Sequence, residues 1–270
     1  MNFFTRLLQR STSQGATIAH IKLWHFVASV EQALQPSLRN VPFAVVSTNR
    51  ADGKVIDANE LARAFGVRPG STVHRLRHRF PNVQIRNYNH ERIQGFTKAF
   101  NAQAKRWGRI ISTSTDGQAI TVIIPAVNTL ERAAVFMHMQ EVCWKELECN
   151  IVVGVGSTIA FAKLAAAACA EPGFKYFDIH EQQTLNTLPV SLIPGIGRRT
   201  ASALVQLNVP TVWHFLQLDP QTVEQLGGRS LLRLYRQYMP VAALPFVEPI
   251  FVQPIRMHNL FQNPATHGLT

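Results

Sequence analysis

Residues 192–200 read Leu-Ile-Pro-Gly-Ile-Gly-Arg-Arg-Thr. Two glycines spaced two apart, entered through Pro194 and followed by two arginines, are suited to gripping a phosphate. Gly195 and Gly197 reach backbone angles closed to other residues and let a ligand approach the main chain. A helix starting near Arg198 leaves N–H groups free in its first turn, and those form an anion site. Arg198 and Arg199 add charge where the phosphate would lie, and Ile196 and Thr200 complete the segment. Ala201, Leu204, Val205 and Leu207 supply a packing face. A second helix over 211–216 and a third opened by Asp219-Pro220 give a helix–hairpin–helix, whose contacts go to the DNA backbone and not to base edges. A glycine turn between two packed helices would leave the same trace. The bulk charge weighs against that plainer reading.

Lys and Arg total 27 against 16 Asp and Glu, a formal charge of +11. Such a surface attracts polyanions, of which nucleic acid is the commonest; the alternative is a basic but inert surface. The length of 270 residues suits one compact unit or two to three small modules, and 46% hydrophobic residues can build a core. Cys143, Cys149 and Cys169 show no Cys-x-x-Cys spacing, which argues against a disulfide framework or a zinc site and fits a reducing cytoplasm. Residues 1–10 are broken by Arg6 and Arg10, so no signal peptide or membrane span is expected there, and 1–16 reads as a loose arm. His74, His78 and His90 read as surface residues and not as metal ligands. Arg75, Arg77 and Arg79 alternate, so one helix cannot aim all three the same way.

The elements that must carry these residues follow from periodicity. Strands are expected over 18–27, 41–47, 55–57, 83–86, 110–112, 119–124, 151–156 and 176–179. Helices are expected over 28–34, 60–65, 73–79, 91–107, 130–146 and 159–169. The β-α-β-β-α-β order predicts an α+β fold with a split βαβ sheet. After residue 188 strands give way to short helices as far as residue 238. Residues 241–270 contain prolines and little periodicity and read as a tail.

The order of further motifs supports a family resemblance. Residues 20–31, His-Ile-Lys-Leu-Trp-His-Phe-Val-Ala-Ser-Val-Glu, resemble the H-I-D-M-D-x-F-F-A-S-V-E opening of the Y-family translesion DNA polymerases. Glu60-Leu61-Ala62-Arg63-Ala64-Phe65-Gly66-Val67-Arg68 is similar to that family's Y-x-A-R-x-F-G-V-R fingers motif. Residues 114–119, Ser-Thr-Asp-Gly-Gln-Ala, stand where the family has S-x-D-E-A. Gly154-Val155-Gly156 followed by Ala162-Lys163-Leu164-Ala165 resembles its G-I-A…A-K-L-A segment, and the 192–200 hairpin then falls in its thumb. The resemblance implies a palm with fingers over 17–183 (fingers about 28–85), a helical thumb over 184–240 and a tail over 241–270, with no room left for the family's little-finger domain.

The resemblance also implies chemistry that this sequence departs from. Nucleotidyl transfer in the family uses two magnesium ions held by carboxylates of the first strand and of the D-E pair. Here the first carboxylate position is Lys22 and the D-E pair is Asp116-Gly117, so Asp116 alone remains of the essential set of three, and the strand's second acidic position is Trp24. The fingers tyrosine is Glu60, which repels a triphosphate, and the ribose-excluding aromatic is Val27. Arg63 and Lys163 survive at positions that face phosphates in the family, though an ordinary ion pair or surface charge explains them equally.

Three functions are compatible with this pattern. The resemblance to the UmuC type, and within it to ImuB-like adaptors that lack the acids, implies a DNA-binding, non-catalytic protein of DNA repair with no metal. A weak polymerase would need magnesium and other acids, with Asp57, Glu60 and Asp178 the nearest candidates. A degenerate interaction module is the third. Met257-His258-Asn259-Leu260-Phe261 looks like the clamp-binding Q-x-x-L-F peptide without its glutamine, so Leu260 and Phe261 are candidates for a sliding-clamp contact. A polymerase or accessory partner is implied, and no membrane.

Overall fold

The structure, a computed structural model, describes residues 17–124 and 129–239. Along the chain run β1 (Thr17–Leu23), α1 (Phe26–Leu34), β2 (Phe43–Val46), β3 (Val55–Ala58), α2 (Glu60–Ala64), α3 (Val73–Arg79), β4 (Gln84–Asn87) and α4 (His90–Ala104). Then come β5 (Arg109–Thr113), β6 (Ala119–Ile124), α5 (Thr129–Leu147), β7 (Ile151–Gly156), α6 (Ile159–Ala167) and β8 (Gly173–Phe177). The chain continues through α7 (Gln182–Thr187), α8 (Arg198–Gln206), α9 (Val212–Leu216) and α10 (Pro220–Arg236). The α+β expectation holds. The arm at 1–16 and the tail at 241–270, including Leu260 and Phe261, lie outside the described residues.

Local chemistry sets most helix starts. Asn59, Thr72, Thr158 and Thr211 accept backbone N–H groups in the first turns of α2, α3, α6 and α9. Asp219 does the same for α10, with Pro220 at the first helical position. The β-branched runs form β2, β6 and β7, buried along their whole lengths.

Residues 17–22, 104–124, 129–139 and 151–239 belong to one compact unit. Its five-stranded sheet has the order β5-β6-β1-β7-β8, with β1 antiparallel to β6 and β7 parallel to β8. The helices after α7 do not stand apart from this sheet. Phe161 and Leu164 of α6 and Phe177 of β8 share a core with Leu185, Val212, Phe215, Val223, Tyr235 and Tyr238. Burying each such side chain contributes about 1.5–3 kcal/mol, so the helical segment is anchored by its apolar face.

Residues 23–103 and 140–150 form the second unit. Its three-stranded sheet has the order β3-β2-β4, with β2 antiparallel to β3 and parallel to β4. Ala44, Val46, Val55, Ala58, Val73 and Leu76 make its core. Residues 184–239, where the sequence places a thumb, share a compact unit with part of residues 17–183. The helical segment shares a core with α6 and β8, and the second unit runs past residue 85 to include α4.

The first strand also differs from expectation. It ends at Leu23, not at 27, and α1 begins at Phe26. The cause is a left-handed backbone at His25, φ 44°, ψ 52°, and a cap supplied from elsewhere in the chain. His25 gives α1 no side-chain cap; the buried Asp57 carboxylate of β3 instead accepts the N–H groups of Val27 (3.1 Å) and Ala28 (3.2 Å). A carboxylate at that end of a helix also meets the positive pole of its dipole.

Candidate nucleic-acid interface

The hairpin is built as a turn over Ile193-Pro194-Gly195-Ile196, closed by the Ile196 N–H donating to the Ile193 carbonyl at 3.0 Å. Gly195 takes φ +102°, which the third position of a proline-entered turn requires. Ile193 and Ile196 are buried and anchor the turn from below, so Ile196 can offer a ligand only its backbone. Gly197 is the N-cap of α8 and the helix has no side-chain cap. A Cβ placed on Gly197 would meet nothing within 4 Å, so the approach to the helix start is open. Arg198 and Arg199 are exposed and Thr200 is half-buried. This arrangement can accept a phosphate on main-chain N–H groups flanked by two guanidinium groups.

The structure adds residues that the motif did not include. Arg229, Arg233 and Arg236 are exposed on α10. Their spacing of four and three places them on one helix face. The neighbouring Leu234 packs beside Gly195, where an added Cβ would lie 3.3 Å from its side chain. The ion pairs among the described residues include none of Arg198, Arg199, Arg229, Arg233 or Arg236. The spacing was legible in the sequence, but the adjacency to the hairpin was not.

The sheet of the same unit carries the residues that the sequence set against the family's metal-site motifs. Lys22 is exposed on β1 and lies opposite Ala119 of β6. Asp116 sits in the turn between β5 and β6, where it accepts the Ser114 hydroxyl at 2.6 Å and the Gln118 N–H at 3.0 Å. Gly117 follows in the left-handed region, φ 69°, which a glutamate would adopt only with strain. His20, two residues before Lys22, is largely buried and its Nδ1 lies 2.9 Å from the Thr121 hydroxyl. Burial first, then the positive charges of Lys163 and Lys22, push its pKa down to about 4. Lys22 and Lys163 thus both set positive charge near His20. Among the described residues no three His, Cys, Asp or Glu side chains are grouped to hold a metal ion.

The other candidate residues are engaged. In the second unit Arg63 donates to Asp57 at 2.7 Å and to the Ala58 carbonyl at 2.9 Å, so its guanidinium is spent on holding the carboxylate that caps α1. Glu31, last residue of the opening motif, is buried and paired with Arg92 (3.3 Å) and Arg86 (3.7 Å). Asp178, in the first unit, accepts the Tyr176 hydroxyl and the His180 N–H, both at 3.2 Å. Glu60 accepts the Trp24 indole N–H at 3.2 Å. His74 and His78 are exposed with ring centroids 4.5 Å apart, and Arg75, Arg77 and Arg79 are exposed around α3. No helix of the described residues is long and apolar enough to cross a membrane.

The model of the impB/mucB/samB family matches residues 21–167. The chain belongs to that family. Among curated relatives of this family member, DNA polymerase IV 2 of Mesorhizobium japonicum is 31% identical over 218 residues, covering 79% of this chain and 51% of the relative. DNA polymerase IV of Saccharolobus solfataricus is 27% identical over 211 residues, covering 76% and 60%. The chain thus spans about half to three fifths of the length of these relatives. The crystal structure of DinB from Sulfolobus solfataricus superposes with a TM-score of 0.69 at 21% identity, over 82% of this chain and 67% of the other. The resemblance to Y-family DNA polymerases read from the motifs is borne out, and with it the α+β fold.

Proposed function

We propose that this family member is a DNA-binding, non-catalytic protein that acts in DNA repair and translesion synthesis as an adaptor. One observation carries the reading: Lys22 occupies the first carboxylate position and faces Ala119, while Asp116 is held within its own turn. An ammonium offers magnesium no ligand and repels it, and one carboxylate is too few for two divalent ions. The residues at this place do not fit the metal pair of the family. The positive charge at Lys22 and Lys163, beside a His20 kept neutral by burial, suits contact with a polyanion instead.

The DNA grip is assigned to Gly195, Ile196, Gly197, Arg198, Arg199 and Thr200, with the α10 arginines beside them. The ligand class is duplex or primer–template DNA held by its backbone without sequence preference. The partners proposed are a catalytic polymerase or accessory protein, and a sliding clamp through Leu260 and Phe261. Purified protein is expected to bind primer–template and to give no primer extension with magnesium or manganese. Template-dependent extension that Asp116→Ala abolishes would overturn the non-catalytic reading.

A further inference from the structure

Trp24 and Glu60 line a cavity of about 240 Å3 together with Leu61, Trp144, Glu148 and Asn150. All of these residues belong to the unit formed by 23–103 and 140–150. The volume is below the roughly 300–1,000 Å3 of clefts that hold drug-sized ligands, and suits one planar ring system. Trp144 is 47% exposed and Leu61 41%, so the cavity presents aromatic and apolar surface to water. Two carboxylates line it, and they differ. Glu148 is paired with Arg39, whereas Glu60 takes part in none of the described ion pairs. One Glu60 oxygen accepts the Trp24 N–H, leaving the second oxygen and a further lone pair for a ligand.

We propose that this cavity takes a single guanine base of a single-stranded nucleic acid, stacked on an indole and held by Glu60 through its N1–H and 2-amino group. Guanine presents two adjacent donors on that edge, which match the two oxygens of a carboxylate. Adenine and cytosine set a donor beside an acceptor there, and the acceptor is repelled. Indole faces give the stacking surface used in single-strand recognition. A guanidinium of a peptide would also pair with Glu60, but a protein of charge +11 repels basic peptides and draws in nucleic acid. Glu60 in turn repels phosphate, so the base must enter with its backbone outside. That requires an unpaired or extruded nucleotide.

The test is tryptophan fluorescence of the full chain titrated with free nucleosides, which carry no phosphate and leave the hairpin idle. Guanosine is expected to quench saturably, inosine more weakly, and 1-methylguanosine and adenosine at least tenfold more weakly than guanosine. Glu60→Gln keeps an acceptor for Trp24 and is expected to melt like the parent while binding guanosine at least tenfold more weakly. Arg198→Glu/Arg199→Glu is expected to bind guanosine as the parent does. Equal quenching by adenosine, unchanged guanosine binding in Glu60→Gln, or displacement of guanosine by an arginine amide at equal concentration would overturn the assignment. A parent chain that binds guanosine but not primer–template would count against the hairpin reading alone.

Discussion

The indole N–H of Trp24 donates to the carboxylate of Glu60 at 3.2 Å. Both positions depart from the family motifs they stand in, one replacing an acid of the first strand and the other the fingers tyrosine. The two departures therefore meet in one hydrogen bond, and neither is an isolated change. A double-mutant cycle of Trp24→Phe and Glu60→Gln read by urea unfolding is expected to give a coupling energy of about 0.5–1 kcal/mol, as for a solvent-facing hydrogen bond. Strict additivity of the two changes would show that the hydrogen bond contributes nothing.

Asp57 is expected to be the most sensitive polar position of its unit. Its carboxylate caps α1 and pairs with Arg63 while almost fully buried. Asp57→Ala removes the cap and strands a guanidinium, at a combined cost of about 3 kcal/mol or more. Chemical denaturation would show it as a lowered midpoint with an unchanged slope. A loss below about 1 kcal/mol would mean that water replaces the carboxylate.

Lys22→Asp alone is expected to leave primer extension absent. The restored carboxylate would still face Ala119, and Gly117 would still supply none. Primer extension with manganese measures this directly. Activity in the single variant would show that Asp116 leaves its turn to complete a metal site.

Charge reversal at Arg198 and Arg199 tests the hairpin. Binding to primer–template is expected to weaken steeply with salt in the parent. In the variant, the slope of log K against log salt should become shallower by about 0.9 for each phosphate that is no longer neutralised. Reversal at Arg229 and Arg233 is expected to act in the same direction. Parent binding that ignores salt would refute the electrostatic grip.

His20 predicts a pH dependence of stability. Its pKa falls from 6.5 to about 4 on folding, so between those values the unfolded chain binds more protons. Stability from this group is present in full above about pH 6.5 and is lost as pH falls toward 4. The total is on the order of 3 kcal/mol. Unfolding at pH 7 and pH 5 should show the loss, and His20→Gln should flatten it. A parent as stable at pH 5 as at pH 7 would contradict this.

The family was legible in local sequence because its motifs are short-range. The β-branched runs, the Thr, Asn and Asp caps and the Pro-Gly turn each act within a few residues, so element order and the hairpin could be read directly. The departures at Lys22 and Gly117 were equally plain, since a residue's charge needs no fold to be known. Tertiary structure decided what those residues touch. The strand stops at Leu23 because Asp57, thirty residues away from Val27, caps the next helix. Arg63 is engaged because that same carboxylate needs a counter-charge. The α10 arginines stand near the hairpin because Leu234 of that helix packs beside Gly195. At residues 192–200 the sequence by itself determined a backbone that can grip phosphate, through the Gly195 turn and arginine charge, although Gly197 takes an extended backbone open to any residue. Only the packed chain decided which side chains stand around it, because capping, pairing and burial link residues far apart along the chain.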